Sequence, residues 1–240
     1  MRKKTIEFFD ITNSIPEQFY PSPAIKVIPD WYKNSLSHMG GKKEIYVNDK
    51  GLNSSTIKRC IPVFDAISTG YIVVTDCDIE ITSSHEGVKY FKWSKNRNDV
   101  ITFHIQEQMQ RHHKSPGVGQ GAPKWTNPWA IKTPRGYSSL FIPPMHRPNV
   151  IQILEGVVDT DSYTSPVNLP FSIDDESFQG VIPAGTPIAQ VIPFRRDSFE
   201  HSVRNASDGH YQELQENESN IFSTFFNAYK DRFWNRKQYN

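Results

Sequence analysis

Ile151-Gln-Ile-Leu-Glu-Gly-Val-Val-Asp-Thr-Asp161, then Pro166-Val-Asn-Leu-Pro-Phe-Ser-Ile173, then Gly180-Val-Ile-Pro-Ala-Gly-Thr-Pro-Ile-Ala-Gln-Val-Ile-Pro-Phe194, is the stretch that decides the fold. Its apolar runs are broken by acidic, glycine and proline turns, and each has the ~4–8 residue length of a strand rather than a helix. The expectation is a mainly β protein, an antiparallel β-barrel or jelly-roll-like sandwich.

The flanks read the same way. Trp129–Lys132 and Tyr137–Ile142 are strands around a Thr133-Pro-Arg-Gly136 turn, in which proline and glycine supply the special φ values. Val88–Trp93 and Val100–Ile105 are strands that the polar link Ser94–Asp99 suits to a long hairpin. Tyr71 to Ile81 alternates in the β alphabet, with Ile72, Val74, Ile79 and Ile81 as core positions. Upstream of it, Pro62 either opens a helical turn or ends a strand. The glycine-rich span 106–124 reads as a long loop.

Toward the N-terminus, the prolines between Ile15 and Pro23 give an extended arm, and Pro29 to Leu36 gives a short helix. Toward the C-terminus, Phe222, Phe225, Phe226, Tyr229 and Phe233 recur at helical spacing. The organisation expected is an arm with a short helix over 1–44, a β core over 45–200, and a linker with an amphipathic C-terminal helix over 201–240.

Composition narrows the chemistry. Lys+Arg 27 against Asp+Glu 26 gives a net charge of +1, so no global field draws nucleic acid or an anionic membrane. Cys60 and Cys77 are too few for a disulfide scaffold or a cysteine zinc site. The opening Met-Arg-Lys-Lys-Thr-Ile-Glu-Phe-Phe-Asp lacks a secretory apolar region, and no run is long enough to span a membrane, so cytoplasmic synthesis is expected. Neither a phosphate loop nor a Gly-x-Ser-x-Gly elbow occurs.

Asp159 and Asp161 are the candidate catalytic residues, since carboxylates at a strand end can serve as general bases. The plain alternative is a solvated turn, where aspartate is favoured by local hydrogen bonding. Arg135 could present its guanidinium to a carboxylate or phosphate, and Arg195 and Arg196 could pair with an acidic partner. His104, His112, His113, His146 and His201 lack metal-ligand spacing, so no metal site is assigned.

Two resemblances follow from quoted motifs. Ile28-Pro-Asp-Trp-Tyr32, Arg59-Cys-Ile-Pro62, Trp129-Ala-Ile-Lys-Thr-Pro-Arg-Gly-Tyr137 and Leu154-Glu-Gly-Val-Val-Asp-Thr-Asp161 look like an uncharacterised family of bacteria and phages, which implies no activity. Gly156-Val-Val-Asp-Thr-Asp161 and Gly185-Thr-Pro-Ile-Ala-Gln-Val-Ile192 are similar to the third and fourth motifs of dUTPases and dCTP deaminases. Ala66-Ile-Ser-Thr-Gly-Tyr71 and Thr133-Pro-Arg-Gly-Tyr-Ser-Ser139 resemble their first and second motifs. That resemblance implies a shared barrel, Asp159 beside a nucleotide, Gln190 as a structural glutamine, ligand contacts from Tyr71, Gln190 and Arg135, and trimer-like self-association.

The departures are as informative. The family's first motif ends Gly-Tyr-Asp with a carboxylate that organises magnesium, and Ile72 stands here; the Gly- and Arg-containing C-terminal motif is absent. Phosphoryl chemistry depends on positioning and charge neutralisation. The reading is therefore a non-enzymatic binding or assembly protein without cofactor, phage-encoded and a candidate virion component, partnered by itself or other structural proteins. The alternative is a magnesium-dependent nucleotide-processing enzyme with Asp159 as base.

Overall fold

The structure is a computed structural model that describes residues 4–42, 44–47, 50–85, 88–97, 99–109, 121–175, 177–203, 212–216 and 228–240. In chain order its first half contains β1 (Glu7–Asp10), β2 (Ser22–Pro23), α1 (Asp30–Asn34), β3 (Glu44–Val47), β4 (Lys50–Asn53), α2 (Ile61–Ser68), β5 (Tyr71–Val74), β6 (Ile79–Ser83), β7 (Lys89–Trp93), β8 (Ile101–His104) and α3 (Gln106–Met109). There follow β9 (Ala122–Trp125), β10 (Trp129–Lys132), β11 (Tyr137–Ile142), β12 (Ile151–Ile153), β13 (Gly156–Val158), β14 (Leu169–Ile173), β15 (Gly180–Ile182), β16 (Pro187–Arg195) and α4 (Ala228–Arg232). The protein is mainly β, and its strand pairs are antiparallel. Among the described residues no helix is long and apolar enough to cross a membrane.

Contacts divide the chain into two units, one of Met1–Val27, Thr69–Arg196 and Tyr239, the other of Ile28–Ser68, Asp197–Gln238 and Asn240. The segment 28–68 thus groups with the C-terminal segment; one boundary, at 196/197, lies near the expected 200, and the others fall at 27/28 and 68/69 rather than at 45.

In the first unit the opening stretch supplies five strands. They enter a five-stranded sheet ordered β13-β11-β16-β5-β2, a four-stranded sheet β12-β14-β9-β8 and a three-stranded sheet β15-β6-β7, while β1 pairs with β10 alone. Each sheet keeps two edges, so among the described residues none closes on itself as the barrel expectation required. One apolar core gathers Val73, Phe141, Ile188 and Val191 from the first sheet, Ile101, Trp125, Ile153 and Phe171 from the second, Ile79, Ile81 and Ile182 from the third, and Trp129 and Ile131 from β10. Burying each large side chain contributes about 1.5–3 kcal/mol, so these inward faces hold the sheets together.

The expected hairpin between the strands around Val88–Trp93 and Val100–Ile105 is corrected: β7 pairs with β6, and β8 pairs with β9. The link between them is occupied instead. Lys95 Nζ reaches Asp76 Oδ2 at 2.6 Å, and Arg97 donates to the Thr126 carbonyl at 3.0 Å, which leads the chain from one sheet to the other. Phe91 and Phe103 still meet, ring to ring, at 5.9 Å. The expected loop 106–124 begins with the helical turn α3 and ends inside β9; its middle, 110–120, with His112 and His113, lies outside the described residues. Pro123 disguised β9 because it cannot donate to a ladder. The arm is not wholly extended either, since Glu17–Phe19 forms a 3-10 turn after Pro16 and Ser22–Pro23 joins β5.

In the second unit, β3 and β4 form a hairpin with Val47 opposite Lys50. The ambiguity at Pro62 resolves as helix: proline sits in the first turn of α2, where its missing N–H removes no intrahelical bond. The Tyr32 ring of α1 lies 6.1 Å from Phe64, and its hydroxyl donates to the Lys58 carbonyl at 2.9 Å. Of the aromatic C-terminal stripe, Phe222, Phe225 and Phe226 lie outside the described residues; Tyr229 lies within α4, Phe233 directly follows it, and both are exposed.

Candidate functional site

The register of β11 assembles the site. β13 runs along one side of it, with Val158 opposite Ser139, and β16 along the other, with Arg195 opposite Tyr137. The residues that leave β13, Asp159 to Asp161, and the residue that leaves β16, Arg196, therefore arrive together at the start of β11. Gly136, at φ +85 in the Pro-Arg-Gly turn, closes that end.

Arg196 is the hub. Its Nη1 lies 2.9 Å from Asp161 Oδ1 and 3.2 Å from Asp159 Oδ1, and its Nη2 lies 2.5 Å from Asp161 Oδ2. The same Nη1 donates to the Tyr137 carbonyl at 3.0 Å, and the Arg196 backbone N–H donates to the Gly136 carbonyl at 2.9 Å. Asp161 Oδ2 also accepts the Gly136 N–H at 2.7 Å, and Asp159 Oδ1 accepts the Ser138 hydroxyl at 2.6 Å. The fork-on-carboxylate geometry is the strong form of this contact.

The two aspartates are thereby separated in character. The Arg196 guanidinium, helped by the Gly136 N–H, holds the Asp161 carboxyl down at about 2. Its side chain is only 6% exposed, against 61% for Asp159. A general base works best with a pKa near the operating pH, so Asp161 is a structural brace. Asp159 keeps its carboxylate toward solvent with one oxygen engaged.

Beneath the ion pairs runs a buried hydroxyl chain that the sequence reading missed. Thr160 Oγ1 lies 2.8 Å from Thr133 Oγ1 and 2.9 Å from Ser139 Oγ, and the Thr133 N–H donates to the Thr160 carbonyl at 3.1 Å. Ser139 lies inside β11, whereas Thr133 and Thr160 sit just past the ends of β10 and β13, and a buried hydroxyl must find a partner.

The remaining candidates lie elsewhere in the unit. Gln190 is fully buried; its Nε2 donates to the Thr69 carbonyl at 2.6 Å and its Oε1 accepts the Met145 N–H at 2.9 Å. It ties two loops to the centre of the five-stranded sheet. Tyr71 packs against Phe8 at 5.3 Å and Tyr239 at 5.8 Å, and burial pushes its hydroxyl pKa up. Arg135 is exposed at the turn above Asp161. His104 Nδ1 lies 3.0 Å from Gln108 Oε1, and His146 adopts a left-handed φ of 55.

The magnesium implied by the nucleotide-enzyme resemblance does not fit these residues. Ile72 is buried and offers no oxygen, Asp76 gives Oδ2 to Lys95 and leaves only a single buried Oδ1, and Asp78 Oδ1 accepts the Ala184 N–H at 2.7 Å. Among the described residues no group of three or more His, Cys, Asp or Glu is placed to hold a metal ion. Compared with protein-family models, with curated proteins and with solved structures, the chain shows no match, so the quoted motifs alone carry its resemblances.

Proposed function

We propose that this chain is a binding or assembly protein on a dUTPase-like, jelly-roll-type β framework, phage- or bacterium-encoded, associating with copies of itself or with other structural proteins, a virion included. One observation carries the reading: Asp161 of the third-motif segment is locked to Arg196 as an ionised brace. A group spent on tying β13 to β16 is unsuited to activating water. Exposed apolar side chains, among them Phe9, Ile11, Phe103 and Val157, add the kind of surface that subunit contacts bury.

The runner-up is a nucleotide-processing enzyme with Asp159 as base, favoured by the exposure of that carboxylate. The test is incubation of the purified protein with dUTP or dCTP and magnesium, alongside a light-scattering mass. No nucleotide product and a mass above one chain are expected. Turnover that Asp159→Ala abolishes overturns the proposal, and a monomer mass removes self-association from it.

A further inference from the structure

A cleft of about 300 Å³, lined by His104, Lys124, Val158, Tyr163, Pro166, Val167 and Asn168, lies on the outer face of the β8–β9–β14 ladder. Trp125 turns into the core, so its neighbour Lys124 turns outward, in one row with Thr102 on β8 and Pro170 on β14. His104 stands two residues from Thr102 and shares that face. The segment after β13 forms the opposite wall: the Tyr163 N–H closes a turn on the Asp159 carbonyl at 2.8 Å.

The lining combines one cation with three further polar groups over an apolar floor of Val158, Pro166 and Val167. Lys124, Tyr163 and Asn168 have no side-chain partner among the described residues. Gln108 Oε1 accepts the Ile105 N–H at 3.0 Å, so it acts as an acceptor toward His104 Nδ1 as well, and His104 Nε2 has no partner among the described residues. No acidic side chain is among the lining residues. A concave apolar surface with a few convergent polar groups is the usual form of a small-molecule site, and this volume lies at the small end of the ~300–1,000 Å³ range.

We infer that this cleft binds a small organic anion with a compact apolar body, its charged head on Lys124 and its body against Val158, Pro166 and Val167. The inference goes beyond the assembly reading and does not depend on it. A monoprotonated phosphate ester serves both as the anion for Lys124 and as a donor to His104 Nε2, and a carboxylate satisfies the first of these. Tyr163 and Asn168 supply neutral donors at the rim.

The experiment is an NMR titration of the full chain with phenyl phosphate and with benzoate, using inorganic phosphate and benzyl alcohol as probes of head and body alone. Saturable shifts at Lys124, Tyr163 and Asn168 are expected with at least one of the two organic anions, and binding at least fivefold weaker with either partial probe. Lys124→Ala should weaken it at least tenfold, Lys124→Arg should stay within threefold of the parent, and Lys132→Ala, outside the cleft, should change nothing. Absence of saturable shifts with both anions overturns the inference, as does undiminished binding by a folded Lys124→Ala variant. Because the readout is binding to a folded chain, its failure leaves the oligomer mass and the nucleotide assay unaffected.

Discussion

Arg196 grips both oxygens of Asp161, at 2.9 and 2.5 Å, although the strands they leave never pair with each other. The pair works as a tie across β11, and its pH dependence has a fixed sign. The Asp161 carboxyl is lowered from 3.8 to about 2, so its contribution to stability is complete above 3.8 and is lost as pH falls toward 2. Urea midpoints of the parent should drop through that window, and Asp161→Asn should flatten the drop. An equally steep fall in Asp161→Asn would reject the tie.

Gly70 stands at φ +75 with the Val191 carbonyl pressed against the position a Cβ would take, well inside van der Waals contact. Both the backbone angle and the missing space demand glycine there. Gly70→Ala should lose about 3 kcal/mol or more in denaturant unfolding, and a loss below about 1 kcal/mol would show that the approach relaxes easily.

Gln190→Leu keeps approximate volume but strands the Met145 N–H and the Thr69 carbonyl in a buried place. Each unsatisfied group costs about 1–3 kcal/mol, so a combined loss of roughly 2–6 kcal/mol is expected by urea unfolding. Hydrogen exchange at Met145 should speed up in the variant; unchanged protection there would argue against the bond.

Asp65 on α2 receives the Trp234 indole N–H at 3.0 and 3.1 Å and Lys237 Nζ at 2.7 Å. Asp65→Ala should free the C-terminal residues, seen as a red shift of Trp234 emission and faster proteolysis beyond Arg232. The stability cost should be about 1 kcal/mol, since the lysine side chain is 43% exposed and screened. Unaltered proteolysis would remove the anchor.

How much of this was legible in the sequence depended on whether a pattern was local. β10 and β11 were bounded correctly because their alternation and the intervening turn residues are adjacent in the chain. Ile72, Ile79 and Ile81 were rightly placed in the core for the same reason; Val74 is half-buried, and its neighbour Val73 turns inward instead. Pairing partners were not legible. The β7–β8 link looked like a hairpin because nothing local records that Lys95 closes on Asp76, 19 residues away. The two aspartates were picked out, and Arg196 was expected to seek an acidic partner, but that Asp159 and Asp161 are this partner follows only from the register on either side of β11. Gln190 was named from a motif, and its two backbone contacts come from loops 45 and 121 residues distant.

Both units are stitched from segments that a ribosome delivers far apart in time. β1 must wait for β10, emerging more than a hundred residues later, and 28–68 is made long before the tail that holds Asp65. Closing such long loops precedes any reward from the contacts they bring. Nascent chains arrested near residue 125 should therefore carry β1 with an unmatched edge, a state in which chaperone capture or mispairing competes with folding.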